Sequence, residues 1–108
     1  MEDRSSDDAG AITLVVTIPI KPDFEREFLE AAHQLTEKVR ENEPDTVHFS
    51  LNRHPTETST FVFVEVYRDS AALHMHQESE YLAAAVARLP EWLAGSPEEL
   101  QLSQVAFR

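Results

Sequence analysis

Thr60-Phe61-Val62-Phe63-Val64-Glu65-Val66-Tyr67 decides the fold of this 108-residue chain. Side chains alternate across a strand, which sets Val62, Val64 and Val66 on one face and Phe61, Phe63 and Tyr67 on the other. Apart from Glu65, neither face is suited to water, so the strand belongs at the centre of a sheet. Working outward, the loop from Arg53 to Thr58 leads back to a run in which Val47, Phe49 and Leu51 alternate with His48, Ser50 and Asn52. Glu43-Pro44-Asp45 separates that strand from an amphipathic helix over about 24 to 42, in which Phe24, Phe28, Ala31, Ala32, Leu35 and Val39 recur at spacings of three and four. Asp23 is its candidate N-cap. Before it, Ile12, Leu14, Val16 and Ile18 alternate with Thr13, Val15 and Thr17 in a first strand that Pro19 ends. Beyond Tyr67, Ser70 is suited to cap a helix that is interrupted near Glu78-Ser79-Glu80 and continues through Leu82, Val86 and Leu89 to Pro90. LQLSQVAF, residues 100 to 107, reads as the last strand.

The order β-α-β-β-α-β is that of the ferredoxin-like split βαβ, an α+β fold with an antiparallel four-stranded sheet and both helices on one face. A chain of this length supports one core, here residues 10–108, and residues 1–9 read as an acidic, solvated and disordered tail. The second face of the sheet has no cover of its own. Whether the Val62, Val64 and Val66 face or the Phe61, Phe63 and Tyr67 face is the open one, it makes an apolar patch of roughly several hundred Å², which predicts a homodimer packed sheet to sheet.

Composition narrows the function. Nine Lys and Arg against 20 Asp and Glu leave a formal charge of −11, which repels phosphate backbones and anionic bilayers, so neither nucleic acid nor membrane is an expected partner. Two glycines are too few for a dinucleotide fingerprint or a Walker-type loop, and the absence of cysteine removes thiolate chemistry. The polar N-terminus lacks the basic and apolar regions of an export signal, which makes the cytoplasm the expected location. No metal site is expected: His74 and His76 are two apart on a helix and point about 200° from each other.

Three pieces of the chain carry a likeness. Glu43-Pro44-Asp45-Thr46-Val47-His48-Phe49, then Glu65-Val66-Tyr67, then Ala71-Ala72-Leu73 with His76, Ser79 and Tyr81 resemble, in order and spacing, the antibiotic biosynthesis monooxygenase domain family of dimeric α/β barrels. The likeness extends over about residues 11 to 106. There are departures: Asp45 stands where that family usually has Gly, Phe49 where Tyr is frequent, Tyr67 where Trp is frequent, and Tyr81 replaces a common second His. The family includes cofactor-free oxygenases of phenols and quinols, isomerases of small oxygenated metabolites, and haem-degrading members. For the haem branch the proximal His falls near Val86 and the ring-ruffling Trp near His76, so haem is disfavoured and no cofactor is expected.

What the resemblance implies is a monooxygenase that takes a phenolic, quinol or polyketide-like aromatic together with O₂. The alternative is a non-redox isomerase or a binding dimer without turnover. Oxygenation without metal or flavin requires a base near neutral pKa, donors for the substrate anion, and a dry pocket. His76, on the flank of the second helix and matching the family motif, is the candidate catalytic base. Tyr67 and Tyr81, each an apolar ring with a polar tip, are candidate substrate-binding groups. Glu65 must find a partner inside a central strand, with Arg53 and Arg68 nearest in sequence, and is a third candidate for substrate binding. His48 is a fourth, provided its face of the second strand lines the cleft.

Overall fold

The computed structural model describes residues 10–107, and the tail expected over residues 1–9 lies outside them. The element order is β1 (Ile12–Pro19), α1 (Glu25–Asn42), β2 (Thr46–Arg53), β3 (Thr60–Tyr67), α2 (Ser70–Gln77), α3 (Glu80–Trp92) and β4 (Glu98–Ser103). The strands form one sheet in the order β2-β3-β1-β4, and every neighbouring pair is antiparallel. This is the ferredoxin-like arrangement read from the sequence, with β3 and β1 at its centre. No helix among the described residues is long and apolar enough to cross a membrane.

The register explains why β3 tolerates apolar side chains on both faces. Phe63 lies opposite Val16, Phe61 opposite Ile18 and Glu65 opposite Leu14, all facing the helices. Phe28, Ala32, Leu35 and Val39 of α1, Trp92 of α3, and Phe61 and Phe63 then form one buried cluster with Ile18 and Ile20. Phe61 is 2% exposed. Burying a side chain of that size contributes about 1.5–3 kcal/mol relative to exposure, so this cluster dominates the stability of the fold. On the reverse face Val64 lies opposite Val15 and Ser50, with Leu100 of β4 beyond Val15. Leu100 is 57% exposed and Leu102 43% exposed. The uncovered apolar face inferred from the third strand is therefore present.

Four local features differ from the sequence reading. A 3-10 turn over Pro22–Phe24 precedes α1, and no side chain caps the helix, Asp23 included. Asp69, not Ser70, caps α2 by accepting from the Ala72 N–H at 2.9 Å. The interruption near residue 79 is a complete break, because the Ser79 hydroxyl turns to cap a separate helix, accepting from the Leu82 N–H. Pro90 lies inside α3, in its last turn, and not at its end.

Strand ends differ as well. β4 begins at Glu98 and stops at Ser103, so Val105 and Phe107 lie beyond it, 98% and 81% exposed. β2 contains a bulge between Thr46 and His48. The extra residue leaves Val47 66% exposed, off the inner face that its alternation suggested. It also brings Thr46 opposite Tyr67, on the helix side of the sheet.

Candidate functional site

Between the sheet and the helices lies a cavity of about 210 Å³. Its walls are apolar, from Val16 and Phe63 on the sheet to Leu35 of α1 and Leu82 and Trp92 of α3, and its few polar side chains include Glu65, His76 and Glu99. An apolar cavity of about 150 Å³ already admits a benzene ring, so this one has room for a small aromatic ligand. Glu99 comes from β4, the edge strand whose inner face is the least apolar of the four.

His76 reaches the cavity from the last turn of α2. Its ring is held between Phe49 and Tyr67, whose ring centroids lie at 5.4 and 5.3 Å. The side chain is only 4% exposed. Nδ1 lies 3.0 Å from Oε2 and 3.2 Å from Oε1 of Glu43. A carboxylate only accepts, so the ring proton is assigned to Nδ1, which donates to Glu43. Nε2 is thereby left as the acceptor nitrogen, on the side of the ring where Glu65 Oε1 lies 4.0 Å away.

Glu43, at the end of α1, is buried at 4% exposure, and it collects further donors. The Thr46 hydroxyl donates to Oε1 at 2.6 Å, which the β2 bulge makes possible. The Tyr81 hydroxyl donates to Oε2. Three donors on one buried carboxylate is the arrangement that makes such a group tolerable away from water. It also fixes the tautomer and plane of the imidazole, as outer carboxylates do for catalytic and metal-bound histidines.

Glu65 has a different environment. Its one hydroxyl donor is Tyr67, at 2.6 Å to Oε1. Burial pushes its carboxyl above the usual range; the Tyr67 hydrogen bond and the neighbouring His76 oppose this, and the nearby Glu99 and Glu43 add to it. Tyr67 is itself held well above the ordinary phenol value by burial and by the adjacent Glu65. Burial and the hydrogen bond to Glu43 push Tyr81 up to about 12. Both phenols therefore act as donors at neutral pH.

Of the residues singled out in the sequence, His76 and Glu65 line the cavity. Tyr67 and Tyr81 stand behind them, each occupied in a hydrogen bond to a carboxylate. His48 lies on the opposite face of the sheet, beside Val66, with Nε2 2.9 Å from the Ser50 hydroxyl. Neither arginine expected near Glu65 reaches it: Arg53 pairs with Glu25 at 3.0 Å and Arg68 with Asp45 at 3.1 Å. The sequence reading passed over Glu43. Nothing local marks it out beyond its place before Pro44 in the family-like stretch, since Glu41 and Asp45 are acids beside it. Among the described residues no cluster of three His, Asp or Glu side chains converges as metal ligands do, since Glu43 and Glu65 occupy opposite nitrogens of the same ring.

The family model for antibiotic biosynthesis monooxygenase matches residues 11–88. A protein of Synechocystis sp. (strain ATCC 27184 / PCC 6803 / Kazusa), named "Uncharacterized protein sll1783", is 33% identical over 95 residues, 88% of this chain. The match covers 63% of that relative, so this chain spans less than two thirds of its length. A Bacillus subtilis protein named "Putative monooxygenase YcnE" is 32% identical over 83 residues, covering 77% of this chain and 86% of the other. The crystal structure of a protein from Caulobacter crescentus CB15, described as a "putative antibiotic biosynthesis monooxygenase", superposes with a TM-score of 0.88 at 30% identity, covering 94% of this chain and 96% of that one. The order of elements, the cavity beneath the helices and these matches agree, and the chain belongs to the antibiotic biosynthesis monooxygenase family.

Proposed function

We propose that the protein is a monooxygenase that acts on a phenolic, quinol or polyketide-like aromatic in the cavity beneath the helices, with His76 as the base. The observation that carries this reading is the buried His76 imidazole, with Nδ1 donating to Glu43 and Nε2 left as acceptor on the cavity side. A base held in one tautomer in a dry, apolar site is equipped to ionise a weak acid such as a phenol. The phenolate then supplies the electrons. It passes one to O₂, and the resulting superoxide and substrate radical combine at a ring carbon to give a hydroperoxide. Loss of water from that hydroperoxide leaves a carbonyl. Over the turnover the ring C–H and the phenolic O–H lose their hydrogens, the carbon gains one oxygen atom as a carbonyl, and the second oxygen departs with those two hydrogens as water.

Two further parts of the reading concern assembly. The exposed Leu100 and Leu102, with Val15, Val62, Val64 and Val66, support a homodimer packed through the open faces of two sheets. His48, on that same outer face, then belongs to the interface region rather than to the cavity. The test of the chemistry is oxygen uptake by the purified protein with a panel of quinols and polyhydroxylated aromatics, alongside His76→Gln. Saturable uptake that the variant loses supports the assignment. Uptake no faster than the spontaneous rate across the panel sinks it and turns the search to isomerisation or binding.

A further inference from the structure

We propose that Glu65 serves as a neutral carboxyl that donates a hydrogen bond to the same substrate oxygen that His76 deprotonates, the two side chains holding one phenolic oxygen between them. The inference rests on His76 being the base, and it assigns Glu65 a part in stabilising the charge that the base creates. Its foundation is a distance. The 4.0 Å between His76 Nε2 and Glu65 Oε1 is too long for a hydrogen bond, yet one oxygen seated between the two groups lies within hydrogen-bond reach of both. Both residues line the cavity, so that seat opens onto the space where a ligand resides.

An ionised Glu65 is unsuited to this position, because a carboxylate repels a phenolate and offers no proton. Among the described residues the carboxylates nearest Glu65 are not matched by any lysine or arginine. Glu99 comes from β4 and Glu43 from the end of α1, while Tyr67 beside it on β3 is a neutral phenol. β1, α1 and α3 present only apolar side chains to the cavity, β2 presents Phe49, and α2 adds the uncharged Gln77 to His76. Among the described residues no lysine or arginine lines the cavity. Burial among acids favours the protonated carboxyl, in agreement with its raised pKa. Oε1, which accepts from the Tyr67 hydroxyl, is also the oxygen that lies 4.0 Å from His76 Nε2, so the proton that meets the substrate oxygen is placed on Oε1, whose remaining lone pair accepts from Tyr67. A buried acid kept neutral so that it can donate to an oxyanion is an established device for proton abstraction. The two carboxylates thus have separate duties: Glu43, well supplied with donors, orients the imidazole, and Glu65, poorly supplied, meets the substrate.

The test is a binding experiment with 4-nitrophenol, whose absorption reports its ionisation, on wild type, Glu65→Gln and Glu65→Leu. Wild type is expected to bind it as the phenolate at pH values where the free phenol is still neutral. Glu65→Gln retains a donor and is expected to hold the phenolate comparably, whereas Glu65→Leu loses about tenfold or more in affinity. At a pH high enough that the free protein holds a proton on neither Glu65 nor His76 Nε2, phenolate affinity falls with the second power of the proton concentration in wild type, one proton for each. In Glu65→Gln it falls with the first power. Equal phenolate affinity in wild type and Glu65→Leu overturns the proposal. So does a first-power dependence in wild type, a measurement that stands even if a variant fails to fold, and so does a wild-type protein that does not bind the phenolate. If phenolate binds as described but no aromatic supports oxygen uptake, the oxygenase reading fails and the shared oxygen seat remains.

Discussion

Glu43→Leu is expected to lower stability by about 3 kcal/mol, an estimate that follows from the donors the carboxylate holds. Removing it strands the His76 Nδ1–H, the Thr46 hydroxyl and the Tyr81 hydroxyl. A buried donor without an acceptor costs about 1–3 kcal/mol. The His76 side chain is 4% exposed, so its cost falls in the upper part of that range. Moving the proton to Nε2 gives no escape, because Nδ1 then becomes a stranded acceptor. Thr46 and Tyr81 are half-buried and turn partly to solvent, adding the lower figure between them. Against this, the variant no longer desolvates a carboxylate. The assay is urea unfolding at one fixed protein concentration, followed by the fluorescence of Trp92, the single tryptophan. For a domain of this size the loss corresponds to a Tm lower by roughly 12 °C or more. His76→Phe in the Glu43→Leu background removes the principal stranded donor, so the double variant is expected to recover part of the loss. A loss below about 1 kcal/mol for Glu43→Leu, or strict additivity in the cycle, refutes the view that Glu43 and His76 act as one unit.

Three further outcomes are expected. Ser79→Ala removes the cap that starts α3 and should cost about 1 kcal/mol, visible as a lower urea midpoint with an unchanged m-value; an unaltered midpoint counts against the break between the two helices. The folded-state pKa of Glu65 is raised, so its stabilising contribution is complete below the ordinary carboxyl value and disappears as pH climbs through the folded value. Unfolding of wild type and Glu65→Gln across that window should show a decline with pH that the variant lacks, and parallel curves contradict the assignment. Val64→Lys places a charge at the centre of the open sheet face, opposite Val15, and should convert a dimer into a folded monomer by sedimentation analysis. A wild-type chain that is monomeric at every concentration rejects that interface.

The parts of the fold that could be read from the sequence are those set by local periodicity. β3 announced itself because Phe61, Phe63 and Tyr67 alternate with three valines, and α1 because Phe28, Ala32, Leu35 and Val39 lie on one stripe. Where two signals compete, the alternation is a weaker guide. Val47 fits the inner face by alternation, but the bulge that brings Thr46 over to Glu43 displaces it. The last strand was misjudged because Val105 and Phe107 extend an apolar pattern that no partner strand continues, whereas Glu98 and Glu99, poor strand formers, pair with Thr17 and Val16. Register against β1 outweighs propensity there.

The site was legible one residue at a time, but not as a constellation. His76 stood out by its place in a family-like motif and Glu65 by being the one charge in an apolar strand, whereas Glu43 lies 33 residues from His76 and has no local anomaly. Sequence reasoning instead sought a cation for Glu65 and chose the nearest arginines. The fold sends Arg53 to α1 and Arg68 to Asp45, both at the surface, and leaves Glu65 with a phenol and an imidazole. That outcome bears on function. An arginine would have held Glu65 ionised and made it a structural anchor of the strand. A tyrosine donor leaves burial to raise its pKa, at the wall of a cavity that no lysine or arginine among the described residues lines. The tyrosines matter for the same reason. They do not line the cavity, yet each donates to one carboxylate, Tyr81 to the acid that orients the imidazole and Tyr67 to the acid beside Nε2. Loss of either hydroxyl should therefore act through its own carboxylate, Tyr81→Phe on the orientation of the base and Tyr67→Phe on the protonation of Glu65.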